Sequence, residues 1–299
     1  MTDQAMRGTA LRDGAMLLLA AAIFGGIFPV NRLAAEAAWP PMSFVLLQAA
    51  IAGVAVLAVV LATGQRMAVS RAHLLAYVVI GGLVLGLPSI VLVRAAEHLD
   101  ASVLTLVLCL SPILTLLIGA AAARVAPDRM TLLGMLLGVA GIALIATPDT
   151  GVLGGATMGW FLIALSAPVM FALANNCAAW LRPPAAPSAV MAAGTLLGGA
   201  AVALVVTLVS GAALLPPDLG GGRLLPLVLA TLIQGVFYYL FFWLINQLGP
   251  ARFSVFNYIA VAAGIIWSML VFGEKPAALF WVATALMLVG MHLALRPRG

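Results

Sequence analysis

The sequence predicts an all-α integral membrane protein with ten transmembrane helices, arranged as two inverted five-helix repeats around a central cavity. Three observations support this fold class. Of the 299 residues, 65% are hydrophobic and 8% are charged, whereas a soluble domain is about one-quarter charged. The apolar residues fall into ten runs whose length suits a bilayer crossing. Finally, the two halves of the chain match each other at a nearly constant offset.

The ten apolar runs are separated by turn-forming and charged residues, such as Pro148-Asp149 and Gly249-Pro250. Each run is apolar over most of its length, so we expect each to form one membrane helix. The predicted helices are 14–34, 41–62, 73–96, 101–123, 130–147, 157–181, 188–211, 223–247, 251–272 and 277–295. Little of the chain is left for an extramembrane domain.

The orientation follows from the basic residues between the predicted helices. Counting Lys and Arg on alternate sides gives ten on one side and four on the other. Cytoplasmic loops carry an excess of positive charge, so we expect an inner-membrane protein with both termini in the cytoplasm. The net charge of +5 is scattered along the chain without a dense basic patch, so we expect no nucleic-acid partner.

The halves match at small and aromatic positions. Gly86 and Gly235 lie 149 positions apart, as do Gly141 and Gly290. A unit of five helices crosses the membrane an odd number of times, so two tandem copies enter it from opposite sides. We therefore predict a first repeat over 14–147 and a second, inverted repeat over 157–295.

The predicted membrane interior lacks the residues of most catalytic and ion-coupling sites. None of the nine acids lies near the middle of a predicted helix, where a proton or sodium relay would need one. The nearest catalytic candidate is Glu97-His98-Asp100, in one outer loop. We expect that loop to be solvated and Asp100 to cap the fourth helix. We expect a non-enzyme without metal or cofactor, although a lipid-modifying enzyme is the alternative in another functional class.

Four prolines fall inside predicted helices one, three, four and six: Pro29, Pro88, Pro112 and Pro168. Each removes an amide donor and so frees the carbonyl four residues earlier. In hydrocarbon such a carbonyl must find a partner or face a water-lined cavity. Together with Gly86, these prolines are predicted hinges. The alternative is that they are simple kinks satisfied by neighbouring helices.

The eighth helix carries the densest unusual pattern, because six of the chain's 22 aromatic residues lie within 237–243. Gln234, Tyr238 and Phe242 share one helix face. Taken singly, neutral polar residues are explained by interhelical hydrogen bonds. As a set near mid-membrane they indicate a substrate cavity. The predicted lining consists of Phe28, Ser89, Thr105, Ser111, Asn175, Gln234, Tyr238, Tyr239, Trp243, Asn257 and Tyr258.

Short motifs in order along the chain resemble those of a known family. They are Phe24-Gly25, where that family often has Trp-Gly, Leu110-Ser111-Pro112, Gly134 with Gly141, and Gly273-Glu274. With these motifs the chain, from about 14 to 295, resembles the ten-helix EamA-type exporters of the drug/metabolite transporter (DMT) superfamily. The resemblance implies alternating access and a central cavity lined mainly by helices one, three, four, six, eight and nine.

Two positions depart from that family's pattern: Ala123-Arg124 replaces a frequent Gly-Glu, and Ala262 replaces a frequent proline. An aromatic lining without buried charge looks most like the YddG-type exporters of amino acids. We therefore expect export of small amphipathic metabolites, most readily amino acids with broad specificity, including aromatic and other neutral ones. Multidrug or nucleotide-sugar transport is the alternative. The expected partners are a small-molecule substrate and the bilayer, and the sequence leaves the oligomeric state open.

Overall fold

A computed structural model describes residues 3–124, 126, 128–145, 155–181, 183, 186–215, 220, 222–253 and 255–294. These residues form fourteen α-helices and one π-helical turn, and no strand occurs among them. The helices are α1 (Asp3–Gly25), α2 (Ile27–Glu36), α3 (Pro41–Ala62), α4 (Arg71–Gly81), α5 (Leu87–Ala95), α6 (Ala101–Val107), α7 (Leu110–Ala123), α8 (Arg129–Ile145), α9 (Gly155–Ala164), α10 (Ser166–Leu181), α11 (Ser188–Ser210), α12 (Leu224–Phe253), α13 (Val255–Phe272) and α14 (Ala278–Ala294). The π-helical turn is Gly82–Gly86.

These helices group into ten spans, which we number in chain order. Seven segments of the described chain are long and apolar enough to cross a membrane, and three shorter apolar helices complete the set. Spans 1, 3, 4 and 6 each consist of two helices: α1–α2, α4–α5, α6–α7 and α9–α10. The remaining spans are single helices, α3, α8, α11, α12, α13 and α14. The predicted all-helical membrane fold is therefore confirmed.

The four two-part spans are the four that contain a proline beyond the first turn of the predicted helix. A turn at Gly26 precedes Pro29, and the π-helical turn precedes Pro88. Turns at Leu108–Cys109 and at Leu165 precede Pro112 and Pro168. The missing amide of each proline explains the position of its interruption, since the preceding turn loses its hydrogen bond.

Two helix ends differ from the predicted ones. α1 begins at Asp3 rather than at 14, because its polar first turns extend the helix beyond the apolar run. α12 continues through Gly249-Pro250 to Phe253, where the sequence predicted a break. A proline ring clashes with the β-carbon of the preceding residue in a helix, and Gly249 has none, so the helix can pass this proline.

The contacts between spans confirm the inverted repeat. Exchanging the halves turns span 1 into span 6, span 2 into span 7, and so on. Spans 2 and 7 pack together, as do spans 5 and 10. The members of each pair occupy the same position in the two halves, so exchanging the halves leaves the pair unchanged. Span 1 packs on spans 8 and 9, and span 6 packs on spans 3 and 4 in the same way. The two halves are thus structural equivalents.

The glycines matched in sequence lie in equivalent interfaces. Gly86 in span 3 lies against Gly199 of span 7, and Gly235 in span 8 lies against Ala52 of span 2. Gly290 approaches span 5 so closely that a β-carbon there would lie 2.5 Å from a backbone oxygen. The steady sequence offset therefore reflects equivalent close contacts between helices.

Candidate functional site

Five aromatic side chains join the two repeats, and we call them the aromatic cluster: Phe24, Phe28, Phe237, Tyr238 and Phe256. The Phe24 ring centroid lies 4.4 Å from that of Phe237 and 6.0 Å from that of Phe28. Phe237 is 5.5 Å from Phe256 and 5.2 Å from Tyr238. The cluster thus connects span 1 to spans 8 and 9.

The helical period of α12 determines which of its aromatic residues point inward. Gln234, Tyr238 and Phe242 recur every four residues and are all buried. Tyr239 lies on the outward face and is 42% exposed. Trp243 follows Tyr239 by one turn along α12 and is half-buried. Its ring lies 5.6 Å from the Arg12 guanidinium carbon.

Tyr238 reaches one of the carbonyls that the prolines leave without a helical donor. Pro88 cannot donate to the carbonyl of Val84, four residues earlier. The Tyr238 hydroxyl donates to that Val84 oxygen at 3.3 Å. The two residues belong to different repeats, so this hydrogen bond links spans 8 and 3 across the centre of the molecule.

Phe28 and Thr105 meet at the backbone of Gly264 in span 9. A β-carbon on Gly264 would lie 2.5 Å from the Thr105 Cγ2 and 3.2 Å from the Phe28 Cδ2. Both side chains are almost fully buried. The Thr105 hydroxyl donates to the Ala101 carbonyl at 2.7 Å, so it is already satisfied within its own helix.

Three other predicted lining residues lie in the adjoining spans 3, 4 and 6. Ser89 is buried in α5, whereas Ser111 is half-buried in α7. Asn175 is exposed and donates to the Thr115 hydroxyl at 3.2 Å. Its neighbour Asn176 is buried and donates to the Thr115 carbonyl at 3.1 Å. The two asparagines therefore hydrogen-bond spans 6 and 4 to each other.

The last two predicted lining residues are in α13. Asn257 and Tyr258 belong to that helix, but their side chains lie outside the described part of the chain. Their helix contributes Phe256 to the aromatic cluster and Gly264 to the contact with Phe28.

An ion cluster holds together the C-terminal ends of spans 1 and 9 and the N-terminal end of span 4. The Arg32 guanidinium contacts carboxylates of Glu36 at 3.2 Å, Asp100 at 3.0 Å and Glu274 at 2.7 Å. Its central carbon also lies 4.3 Å from the centroid of the Phe272 ring. Three helices from both repeats are thus connected through one side chain.

Glu274 also caps the N-terminus of α6. Its carboxylate oxygens accept hydrogen bonds from the amides of Ala101 at 3.2 Å and Ser102 at 3.3 Å. The expectation that Asp100 caps this helix is wrong: Asp100 occupies the N-cap position but makes no side-chain cap. Its carboxylate is held by Arg32 instead. A distant acid therefore satisfies the first amides of the helix.

The loop proposed as the nearest catalytic candidate lines a cavity of about 340 Å³ at the same end of the helix bundle as this ion cluster. His98 stacks on Trp160 with ring centroids 4.4 Å apart. Its Nε2 lies 3.8 Å from a carboxylate oxygen of Glu97. Asp100, which a catalytic cluster would need, is bound by Arg32. The described contacts of the loop are those of a helix connector.

Comparison with known proteins identifies the architecture. Residues 14–147 and 158–296 each match the EamA-like transporter family. The chain belongs to this family. It is therefore a multi-pass membrane transporter of the DMT superfamily, as the motifs indicated. No curated protein matches the sequence. A solved chain described as "Crystal structure of protein" is similar in fold, with a TM-score of 0.61 and 21% identity over 93% of this chain and 94% of that one.

The structure also brings forward polar groups that the sequence analysis missed. Asn31, Gln48, Thr231 and Gln234 each have a buried oxygen without a hydrogen-bond partner. Of these, only Gln234 was predicted to line a cavity. Gln48 could have been found, because it is a lone amide inside the apolar run 41–62. The aromatic partners of Phe24 could not have been found from the sequence, because they depend on how spans 1, 8 and 9 pack.

Proposed function

We propose that this transporter exports small amphipathic metabolites, most readily amino acids, from the cytoplasm across the inner membrane by alternating access. Both termini are proposed to be cytoplasmic. The proposed binding region comprises the aromatic cluster, Gln234 and the neighbouring Ser89 and Thr105. The transporter is proposed to have no enzymatic activity, which agrees with the binding of Asp100 by Arg32.

The observation that carries this proposal is the aromatic cluster beside neutral polar groups, at the junction of the two repeats. Aromatic faces accept side chains of varied shape, because their contacts are made by area and have little directional demand. Amide, hydroxyl and freed carbonyl groups can hydrogen-bond the polar end of a small metabolite without imposing a fixed charge. Such a lining favours broad specificity.

The described conformation suits one state of an alternating-access cycle. The ion cluster around Arg32 connects the outer ends of spans 1, 4 and 9, so substrate release to the outside requires at least the Arg32–Glu274 contact to break. The interruptions before Pro29, Pro88, Pro112 and Pro168 are the proposed hinges. Helix breaks of this kind absorb backbone rotation while the helices on either side remain rigid.

Uptake of labelled phenylalanine into proteoliposomes, with unlabelled amino acids as competitors, tests the proposal. We expect several neutral amino acids to compete, because no charged group selects one side chain. Competition by a single amino acid would contradict broad specificity. Absence of uptake by well-folded protein, with uptake of hydrophobic cations instead, would favour drug export.

The absence of acids from the middle of the spans also leads us to propose transport driven by the substrate gradient alone. With the substrate gradient held constant, an uncoupler should leave the initial rate unchanged. A rate that collapses with the proton gradient would show that the transport is proton-coupled.

A further inference from the structure

Gln48 is a fully buried amide within a membrane span. It lies in α3 at 0% exposure, and neither its Oε1 nor its Nε2 has a hydrogen-bond partner. Leaving a buried amide unpaired costs about 1–3 kcal/mol per group. The unpaired amide of Gln48 is therefore available to hydrogen-bond a molecule outside the polypeptide.

The register between α3 and α12 shows what faces Gln48. The Trp39 indole donates to the Arg223 carbonyl at 2.7 Å, so the two helices start side by side and run in parallel. Further along, Gly235 lies against Ala52. The sequence separation of the contacting residues is nearly the same in the two contacts, so the register of α3 against α12 is constant. Gln48 and Thr231 precede Ala52 and Gly235 by one turn and therefore lie at the same level.

Other unpaired oxygens lie within one helical turn of this level. The Thr231 Oγ1 and Gln234 Oε1 on α12 are buried without partners. The Asn31 Oδ1 on α2 is also buried and unpaired. α2 runs antiparallel to α12, with Gly26 beside Ile233, so Asn31, five residues beyond Gly26, lies level with Val228 and within one helical turn of Thr231. The three helices α2, α3 and α12 pack on one another.

The aromatic cluster borders this set of unpaired oxygens on the side toward the C-terminal end of α12. Phe237 and Tyr238 follow Gln234 by three and four residues, which places them one helical turn closer to the C-terminal end of α12. Phe24, which contacts Phe237 at 4.4 Å, precedes Asn31 by about two turns. A ligand lying along α12 would therefore meet hydrogen-bonding groups at one end and aromatic surfaces at the other.

We propose that Asn31, Gln48, Thr231 and Gln234 form a subsite that binds the protonated amino group of the substrate. Their unpaired oxygens are all acceptors, and a primary ammonium group offers three donors. Hydrogen bonds from a charged donor are the strongest that neutral oxygens can accept. The side chain of the substrate then points toward the aromatic cluster. This subsite deepens the proposed function and rests on it for the identity of the substrate.

The test compares wild-type protein with Gln48→Leu, using labelled phenylalanine in proteoliposomes and two partial analogues. Phenethylamine keeps the amino group and lacks the carboxylate, whereas 3-phenylpropanoate lacks the amino group. We expect phenethylamine to compete better than 3-phenylpropanoate in the wild type. In Gln48→Leu the apparent affinity for phenylalanine should fall roughly 10- to 100-fold, and the preference for phenethylamine should shrink.

Thermal stability separates a binding role from a structural one. Replacing an unpaired buried amide by an apolar side chain should leave the melting temperature of Gln48→Leu unchanged or higher. Thr195→Val is the matched control: its hydroxyl is also fully buried and unpaired, but it lies between spans 7 and 3. The control should show the same thermal behaviour with normal transport. If Gln48→Leu does not fold, Gln48→Met serves instead.

Two results would overturn the subsite. One is wild-type transport by Gln48→Leu, and the other is a loss of transport that matches a loss of stability. If the wild type takes up no amino acid, the proposed function is wrong. The subsite can then still be tested by measuring the binding of phenethylamine. In that case phenethylamine should raise the melting temperature of the wild type and not that of Gln48→Leu. An equal rise in both proteins would overturn the subsite.

Discussion

At the scale of single residues, Glu274 shows how a tertiary contact replaces a local one. The sequence places Asp100 immediately before α6, where an acid ordinarily caps the helix. In the structure, Arg32 draws the Asp100 carboxylate away, and Glu274, 173 residues beyond Ala101, accepts the hydrogen bond from the Ala101 amide instead. No local pattern could reveal this exchange, because it depends on how spans 1, 4 and 9 meet.

Glu274→Gln should lower the free energy of unfolding by about 1–3 kcal/mol, because it weakens charge-assisted hydrogen bonds to two amides and to Arg32. The Glu274 side chain is 8% exposed. The matched control is Glu36→Gln, whose side chain is 53% exposed, and it should cost less than about 1 kcal/mol. Equal losses in thermal or denaturant unfolding would contradict the capping role.

The hydrogen bond from Tyr238 to the Val84 carbonyl gives a second prediction at this scale. Tyr238→Phe should cost about 0.5–1.5 kcal/mol, because it removes the hydrogen bond to the half-buried Val84 carbonyl. In a Pro88→Ala background, residue 88 regains an amide that can donate to Val84, so the same change should cost much less. Unfolding measurements on the double-mutant cycle check this coupling, and an identical cost in both backgrounds would refute it.

At the scale of helices, the interruptions could be read from the sequence and the contacts between helices could not. A proline always lacks its amide hydrogen, so the breaks before Pro29, Pro88, Pro112 and Pro168 follow from covalent chemistry. Pro250 was predicted to end a helix and does not, because Gly249 removes the steric conflict that usually accompanies a proline.

A glycine makes a close approach of span 1 to span 9. A β-carbon on Gly25 would lie 2.7 Å from the backbone nitrogen of Gly264, which cannot move independently of its helix. Gly25→Ala should therefore cost about 1–3 kcal/mol of stability through overpacking. At Gly159 nothing lies within 4 Å, so Gly159→Ala should be neutral or stabilise by up to about 1 kcal/mol. Thermal unfolding that ranks the two variants in the opposite order would refute this account of the contact.

At the scale of the whole molecule, hydropathy predicted the all-helical membrane fold, and the sequence offset predicted the inverted repeat. Both follow from physics that acts on the whole chain, namely the bilayer thickness and the odd number of crossings. The face of α12 that carries Gln234 and Tyr238 was also predicted, since it depends on helical periodicity alone. Gln48 was missed because its significance depends on the register of α3 against α12.

The orientation of the molecule can be tested with single cysteines introduced into a background in which both native cysteines are removed, Cys109→Ala and Cys177→Ser. Arg66 and Lys275 are both exposed and lie in connectors on opposite sides. With both termini cytoplasmic, Lys275→Cys should react with a membrane-impermeant maleimide in intact cells. Arg66→Cys should react only after permeabilisation, and the reverse pattern would invert the topology.

The central claim is that amino acids pass through the region around Gln234. Counterflow of labelled methionine, threonine and phenylalanine in proteoliposomes tests it most directly, with Gln234→Ala compared against Leu232→Ala. Leu232 lies on the same helix but is 59% exposed on its outward face. We expect the wild type and Leu232→Ala to exchange all three amino acids and Gln234→Ala, folded normally, to lose exchange. Full exchange by Gln234→Ala, or none by the wild type, would contradict the claim.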